Sequence, residues 1–183
     1  MRESRVAQRL KRRVFEMPAE MVPAVLAALD EEGIRAWLIG GWGIDALLGR
    51  QTRRHLDLDL AFDAREGAEE RAIAALSSRG FEVVKRETLS TPPGLPFRLS
   101  ARIVLDDGRR HLVDLHPVEA TRDQAGGGDV EPTAEGRVAG SRVRCLTGTL
   151  QLALHQGYQA RDFDRADVEQ LRAHLDGGPA DRA

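Results

Sequence analysis

Short strands interleaved with amphipathic helices, and closed by two helices at the C-terminal end, place this chain in the α+β class. Three observations carry that reading. Leu56-Asp-Leu-Asp-Leu60 alternates strictly, and Asp114 in Leu112-Val-Asp-Leu-His-Pro117 sits between apolar neighbours; alternation of this kind is the period of a strand. Val22, Val25, Leu26 and Leu29 fall at i, i+3, i+4 and i+7, the spacing of one helix face. Between them lies Gly40-Gly41, a diglycine that joins an apolar strand to a short helix and lets the backbone turn tightly or meet a ligand closely.

Taken in order, residues 18–32 read as a helix, with Pro18 suited to its first turn and Gly33 ending it. Residues 34–39 form a short strand, Gly40-Gly41 the turn, and 42–48 a short helix stopped by Gly49. Residues 55–62 form the aspartate strand, 65–79 a helix ended by Gly80, and 81–85 a strand. Thr91-Pro-Pro-Gly-Leu-Pro96 is a loop by composition. Strands near 97–105 and 110–117 are joined by Asp106-Asp107-Gly108, a hairpin signal. Residues 121–136, rich in Gly, Asp and Glu, read as a loop, and 142–145 as a last short strand. Helices over 147–158 and 164–176 close the chain, with a frayed tail from Gly177. The expected organisation is a basic extension over 1–17, a core over 18–145, and C-terminal helices and tail over 146–183.

Composition narrows the function classes. The 183 residues suffice for one good core. A formal charge of −2 disfavours a general nucleic-acid binder, although Arg50, Arg53, Arg54, His55 and Arg65 cluster around the aspartates. Cys145 is the only cysteine, which excludes an internal disulfide and a cysteine-based zinc site. No apolar run approaches the roughly 20 residues of a membrane span, and no apolar stretch follows the Arg-rich start. A cytoplasmic location is expected, with no membrane partner.

The chemistry centres on Asp57 and Asp59. A strand presents both on one face, where like charges repel unless a cation lies between them. Mg²⁺ takes hard oxygen ligands and is usually shared with substrate phosphates. Sixteen positions earlier, Gly41 ends the diglycine, where amides at a helix start point at an anion. Gly40, Gly41 and the amide of Trp42 are the expected phosphate cradle, with Arg53 and Arg50 neutralising it. Asp114 is the expected third acid, completing a site for two metal ions and accepting a proton from an attacking hydroxyl.

Several neighbours have simpler expected roles. Asp45 is expected to be held by the helix N-terminus or an Arg, Trp37, Trp42 and Tyr158 to pack, and His55 to be structural. His116 shares the face of Asp114, where it either reaches an acceptor or supports the acid. Asp162, Asp164, Asp167 and Glu169 read as a solvated acidic helix face.

The segment 37–62 resembles the signature of the DNA polymerase β-like nucleotidyltransferases: an apolar residue, Gly-Gly, a short helix, then Asp-apolar-Asp on a strand. Within that superfamily it is similar to the small aminoglycoside and lincosamide nucleotidyltransferases, and Val113-Asp-Leu-His-Pro117 resembles the third-acid strand of the lincosamide branch. Arg144-Cys145-Leu146 before a helix and His155-Gln-Gly-Tyr158 within it fit the same group. The resemblance implies a mixed sheet flanked by helices, with a short helical C-terminal part. It implies transfer of a nucleoside monophosphate, AMP from ATP, to a small hydroxylated acceptor with release of pyrophosphate. Leu56 departs from the pattern, which carries a polar residue there; it is expected on the face opposite Asp57, leaving the metal site intact. Two other readings remain: a toxin-type nucleotidyltransferase acting on transfer RNA or protein, which would need a basic docking surface, and an idle nucleotide-binding module. Oligomeric state is left open.

Overall fold

The computed structural model describes residues 15–120, 133–155 and 162–177. Helix α1 spans Met21–Glu31, α2 Gly40–Leu48, α3 Ala68–Ser77, α4 Gly148–Leu154 and α5 Asp162–Gly177. The strands are β1 Ala36–Leu38, β2 Leu58–Asp63, β3 Glu82–Thr88, β4 Phe97–Leu99, β5 Ala101–Asp106, β6 Leu112–Ala120, β7 Thr133–Val138 and β8 Ser141–Leu146. They form one mixed sheet in the order β3-β5-β6-β2-β1-β8-β7, with β4 also on β6. The β2–β6 and β1–β8 pairs are parallel and the remainder antiparallel.

The period-two pattern of β2 and β6 separates two jobs. Leu58, Leu60 and Phe62 on β2, with Val113 and Leu115 on β6, face a core covered by Val22, Val25 and Leu29 of α1 and by Ala72 and Leu76 of α3. The alternate positions face the other way. There Ala61 and Val118 join Trp37, Ile39, Phe97, Leu99 and Leu146 in a second apolar cluster, with Leu150 and Leu154 of α4 packed against it. Asp59, Asp114 and His116 occupy that same side of the alternation, between the two apolar groups.

Helix α2 is clamped by glycines that let other elements approach. A Cβ on Gly43 would lie 1.9 Å from the side-chain amide nitrogen of Gln151, which docks α4 by donating to the Leu38 carbonyl at 3.4 Å. A Cβ on Gly136 of β7 would lie 2.6 Å from the Ala46 carbonyl.

Several boundaries differ from the sequence reading. Helix α2 begins at Gly40, so the diglycine is the first turn of the helix, not a turn before it. The aspartate strand begins at Leu58, because residues 51–57 are held as a loop by Asp45, which accepts from the Thr52 amide at 3.0 Å and hydroxyl at 2.6 Å. The expected strand 97–105 is broken at Ser100 into β4 and β5, whose registers on β6 differ by one residue. Residues 133–136, read as loop, belong to β7, which pairs with β8. Met17, assigned to the N-terminal extension, is fully buried, and its amide donates to the His55 carbonyl at 2.8 Å. The expectations for residues 1–14, 121–132, 156–161 and 178–183, Tyr158 among them, lie outside the described residues. Cys145 is a free, buried thiol that burial pushes up to about 12.

Candidate active site

The parallel register of β2 on β6 sets Asp59 directly beside Asp114. Asp114 is 1% exposed. Its Oδ2 accepts from Nε of Arg102 at 2.7 Å and forms an ion pair with the same guanidinium. Its Oδ1 is buried with no hydrogen-bond partner. Nε2 of His116 lies 3.1 Å from Oδ1 of Asp59. Asp59, Asp114 and His116 each offer a ligand atom, all within 4.8 Å of one another. Burial pushes Asp114 up to about 7; the Asp59 charge adds to this, Arg102 opposes it, and Asp57 adds further. The Arg102 pKa is raised as well: burial acts to lower it, but Asp114, Asp59 and Asp57 together outweigh that.

This donor set fits a divalent cation. Two carboxylates face each other in register, one buried oxygen lacks a partner, and Asp57 lines the same cavity. A cation there would relieve the charge repulsion that raises Asp114. The hard oxygens suit Mg²⁺ better than the imidazole of His116 does.

Beside the acids stands the first turn of α2. Gly40 has φ 62°, and a Cβ there would lie 2.8 Å from Oδ2 of Asp59. At Gly41 a Cβ would lie 2.6 Å from both a guanidinium nitrogen of Arg53 and Nδ1 of His55. The two glycines thus bring backbone and acid together where side chains would intervene. First-turn amides of a helix have no partner within it and point outward along the axis.

A cavity of about 700 Å³ joins these parts, lined by Gly40, Gly41, Asp57 and Asp59 on one side and by Leu89, Leu99 and Leu154 among others. His55 is 2% exposed; its Nε2 lies 2.6 Å from Oδ2 of Asp45, and its ring lies 4.3 Å from that of Trp42. Asp45 therefore holds both the 51–57 loop and His55, whose side chain also lines the cavity.

A sequence profile described as aminoglycoside-2''-adenylyltransferase matches residues 21–171. The chain belongs to this family. It is a nucleotidyltransferase, an enzyme of the transferase class. It is 34% identical over 131 residues to a 2''-aminoglycoside nucleotidyltransferase of Escherichia coli, covering 68% of this chain and 65% of that protein. It is 26% identical over 159 residues to a lincosamide resistance protein of Staphylococcus haemolyticus, covering 81% of this chain and 91% of that protein. Among solved structures, lincomycin-bound LnuA superposes with a TM-score of 0.65 at 24% identity, over 86% of this chain and 98% of that one. ANT(2")-Ia in complex with adenylyl-2"-tobramycin superposes at 0.62 and 23% identity, over 86% of this chain and 88% of that one. These likenesses establish the mixed-sheet nucleotidyltransferase fold expected from the sequence.

Within this nucleotidyltransferase the expected residues divide. Asp57, Asp59, Gly40, Gly41 and Arg53 line the cavity, and Asp114 lies directly beside Asp59. Arg50 does not line it; its guanidinium donates to Gln170 of α5 at 3.2 Å. The Trp42 ring is core, 2% exposed, so only its backbone belongs to the helix start. Arg53 also grips Asp167 of α5, at 2.7 Å for the closest contact. Leu56, expected on the face opposite Asp57, precedes the strand and lines the cavity, 45% exposed. Asp164 and Asp167 are buried, against the expected solvated face, and Asp164 lines the cavity. Arg102 was not legible as a site residue. The signal was its place on the hairpin strand that returns past Asp114, where Val104 is the register partner of Asp114.

Proposed function

We propose that this protein transfers AMP from Mg²⁺-bound ATP to a hydroxyl of a small molecule of the aminoglycoside or lincosamide kind. The observation that carries the reading is the in-register pair Asp59 and Asp114 beside the open first turn of α2. The antibiotic acceptors named for the relatives support it.

Asp57, Asp59 and Asp114 would hold the metal. When bound, Mg²⁺ supplies positive charge against the triphosphate and the departing pyrophosphate. The amides of Gly40, Gly41 and Trp42 bind phosphate oxygens, and Arg53, already at Gly41, adds a planar donor fork. The acceptor oxygen attacks the α-phosphorus, its proton passes to a carboxylate oxygen of Asp114, and the bond from the α-phosphorus to the bridging oxygen breaks. Pyrophosphate leaves with that electron pair. Arg102 holds Asp114 by one oxygen and leaves the other, Oδ1, without a hydrogen-bond partner. Positioning, not a covalent intermediate on the chain, supplies the rate.

The test is a screen of triphosphates against acceptors, read by pyrophosphate release, with Asp57→Asn and Asp59→Asn beside the native chain. Native release that needs both acceptor and Mg²⁺, and is abolished in both variants, is expected. Near-native transfer by Asp57→Asn or Asp59→Asn removes that residue from the metal site.

A further inference from the structure

We propose that His116 is a positioning residue of the metal site: by donating from Nε2 to Oδ1 of Asp59 it fixes how that carboxylate is turned and leaves Oδ2 for the cation. The inference rests on the reading of Asp59 as a metal ligand.

The sheet brings the two side chains together. Asp59 and Ala61 of β2 stand in register beside Asp114 and His116 of β6, and the alternation puts all four on one face. Ala61 carries only a methyl group. The imidazole beside it reaches diagonally across the strands, and its Nε2 lies 3.1 Å from Oδ1 of Asp59. Among the described residues that carboxylate is the ring's one hydrogen-bond partner, since Nδ1 is buried without any. The same geometry selects the tautomer. With its proton on Nε2 the ring donates to Asp59, and Nδ1 is a bare lone pair. The other neutral tautomer would bury an unpartnered N–H and turn a lone pair toward a carboxylate.

The bond acts on a torsion that is otherwise loose. The terminal torsion of an aspartate is broad and roughly two-fold. The Asp59 side chain is 28% exposed, so burial alone does not hold it. Tied at Oδ1, it keeps Oδ2 beside Gly40, where a Cβ would come within 2.8 Å. That oxygen is the one next to the first turn of α2. Asp114 is held in the same manner: Arg102 takes its Oδ2, and Oδ1 has no partner. Each acid of the pair thus has one oxygen committed to a protein donor. For folding alone a hydrocarbon would serve better at position 116, because it would bury no orphan nitrogen. Donors that orient the groups around a metal are typically worth roughly 10–100-fold in metal affinity.

The test measures Mg²⁺ and Mn²⁺ binding to the full chain with a non-hydrolysable ATP analogue, by titration calorimetry and, for Mn²⁺, by electron paramagnetic resonance. His116→Leu removes the donor and the orphan nitrogen together, and His116→Gln keeps an N–H donor. Without metal, His116→Leu is expected to melt within a few degrees of the native chain. It should nonetheless bind both metals roughly 10–100-fold more weakly, and His116→Gln should recover part of that loss. Unchanged metal affinity in His116→Leu overturns the proposal, and so does a His116→Leu chain that fails to fold, which would make the residue structural. A Mn²⁺ resonance coupled to an imidazole nitrogen in the native chain, and lost in His116→Leu, overturns it too, by making His116 a ligand itself. A native chain that binds neither metal overturns the reading of Asp59 as a ligand and this inference with it, so the two failures are told apart.

Discussion

Asp114→Asn separates chemistry from binding. If its main role is to take the acceptor's proton, turnover should fall by roughly 10²–10⁴ with triphosphate affinity nearly unchanged. A parallel loss of affinity would make it chiefly a metal ligand, and an unchanged rate would remove it from the site. A second consequence concerns pH. In the metal-free protein Asp114 titrates at about 7, above its ordinary 3.8, mainly through burial. The folded chain keeps a proton that the unfolded chain loses near 4, so this contribution to stability is full at low pH and is lost as pH rises through about 7. The native melting temperature should fall between about pH 5 and about pH 8 by more than that of Asp114→Asn, because the amide cannot ionise. Equal falls in the two proteins would show that Asp114 is not the group responsible. The acids were legible because alternation and spacing mark them along the chain. Arg102 was not, because its link to Asp114 runs across a hairpin, and one sequence does not state which strand position faces which.

An ion pair between Arg53 and Asp167 ties helix α5 to the site, and that pair can be cut from either end. Arg53→Ala leaves Asp167, 2% exposed, as a buried carboxylate without its guanidinium. It should cost roughly 1–3 kcal/mol in urea unfolding, and adding Asp167→Asn should return part of it. Arg53→Lys should restore triphosphate affinity only in part, since a point charge replaces a planar fork. Equal affinities in all three forms would leave Arg53 as a tie for α5 alone. Between α2 and α4 the contact is steric. Gly43→Ala puts a methyl where the Gln151 amide lies, 1.9 Å from the new carbon, and overpacking of this kind costs about 1–3 kcal/mol. A neutral denaturation midpoint would mean that α4 shifts freely. Helix existence was legible throughout from i, i+3, i+4 spacing. The burial of Asp164 and Asp167 was not, because an acidic helix face looks solvated until an Arg from a distant loop is placed against it.

For the molecule as a whole, ligand binding and folding share one free energy. A ligand that binds only the native chain at a hundred times its dissociation constant adds about 2.7 kcal/mol of stability. ATP with Mg²⁺ should therefore raise the melting temperature of the native protein, while ATP with a chelator should raise it much less. Asp59→Asn should lose the metal-dependent part, and a full shift in that variant would place the metal elsewhere. The net charge of −2 foreshadowed none of this. A near-neutral total averages a carboxylate cluster and an arginine cluster that the fold brings to one cavity, and composition carries no such geometry.

The register of β2 on β6 makes the active site a stepwise property, not a graded one. Asp59 meets Asp114 because Leu58, Leu60, Val113 and Leu115 are all buried on the reverse side. Sliding one strand by a single residue would carry an aspartate into hydrocarbon and bring leucine out to the substrate. Each of those buried side chains is worth roughly 1.5–3 kcal/mol, so intermediate settings are scarcely populated. Drift in the core should then leave surviving molecules with an undistorted pair of acids. Damaged variants would differ in how many copies are folded, and hardly at all in how well each folded copy works.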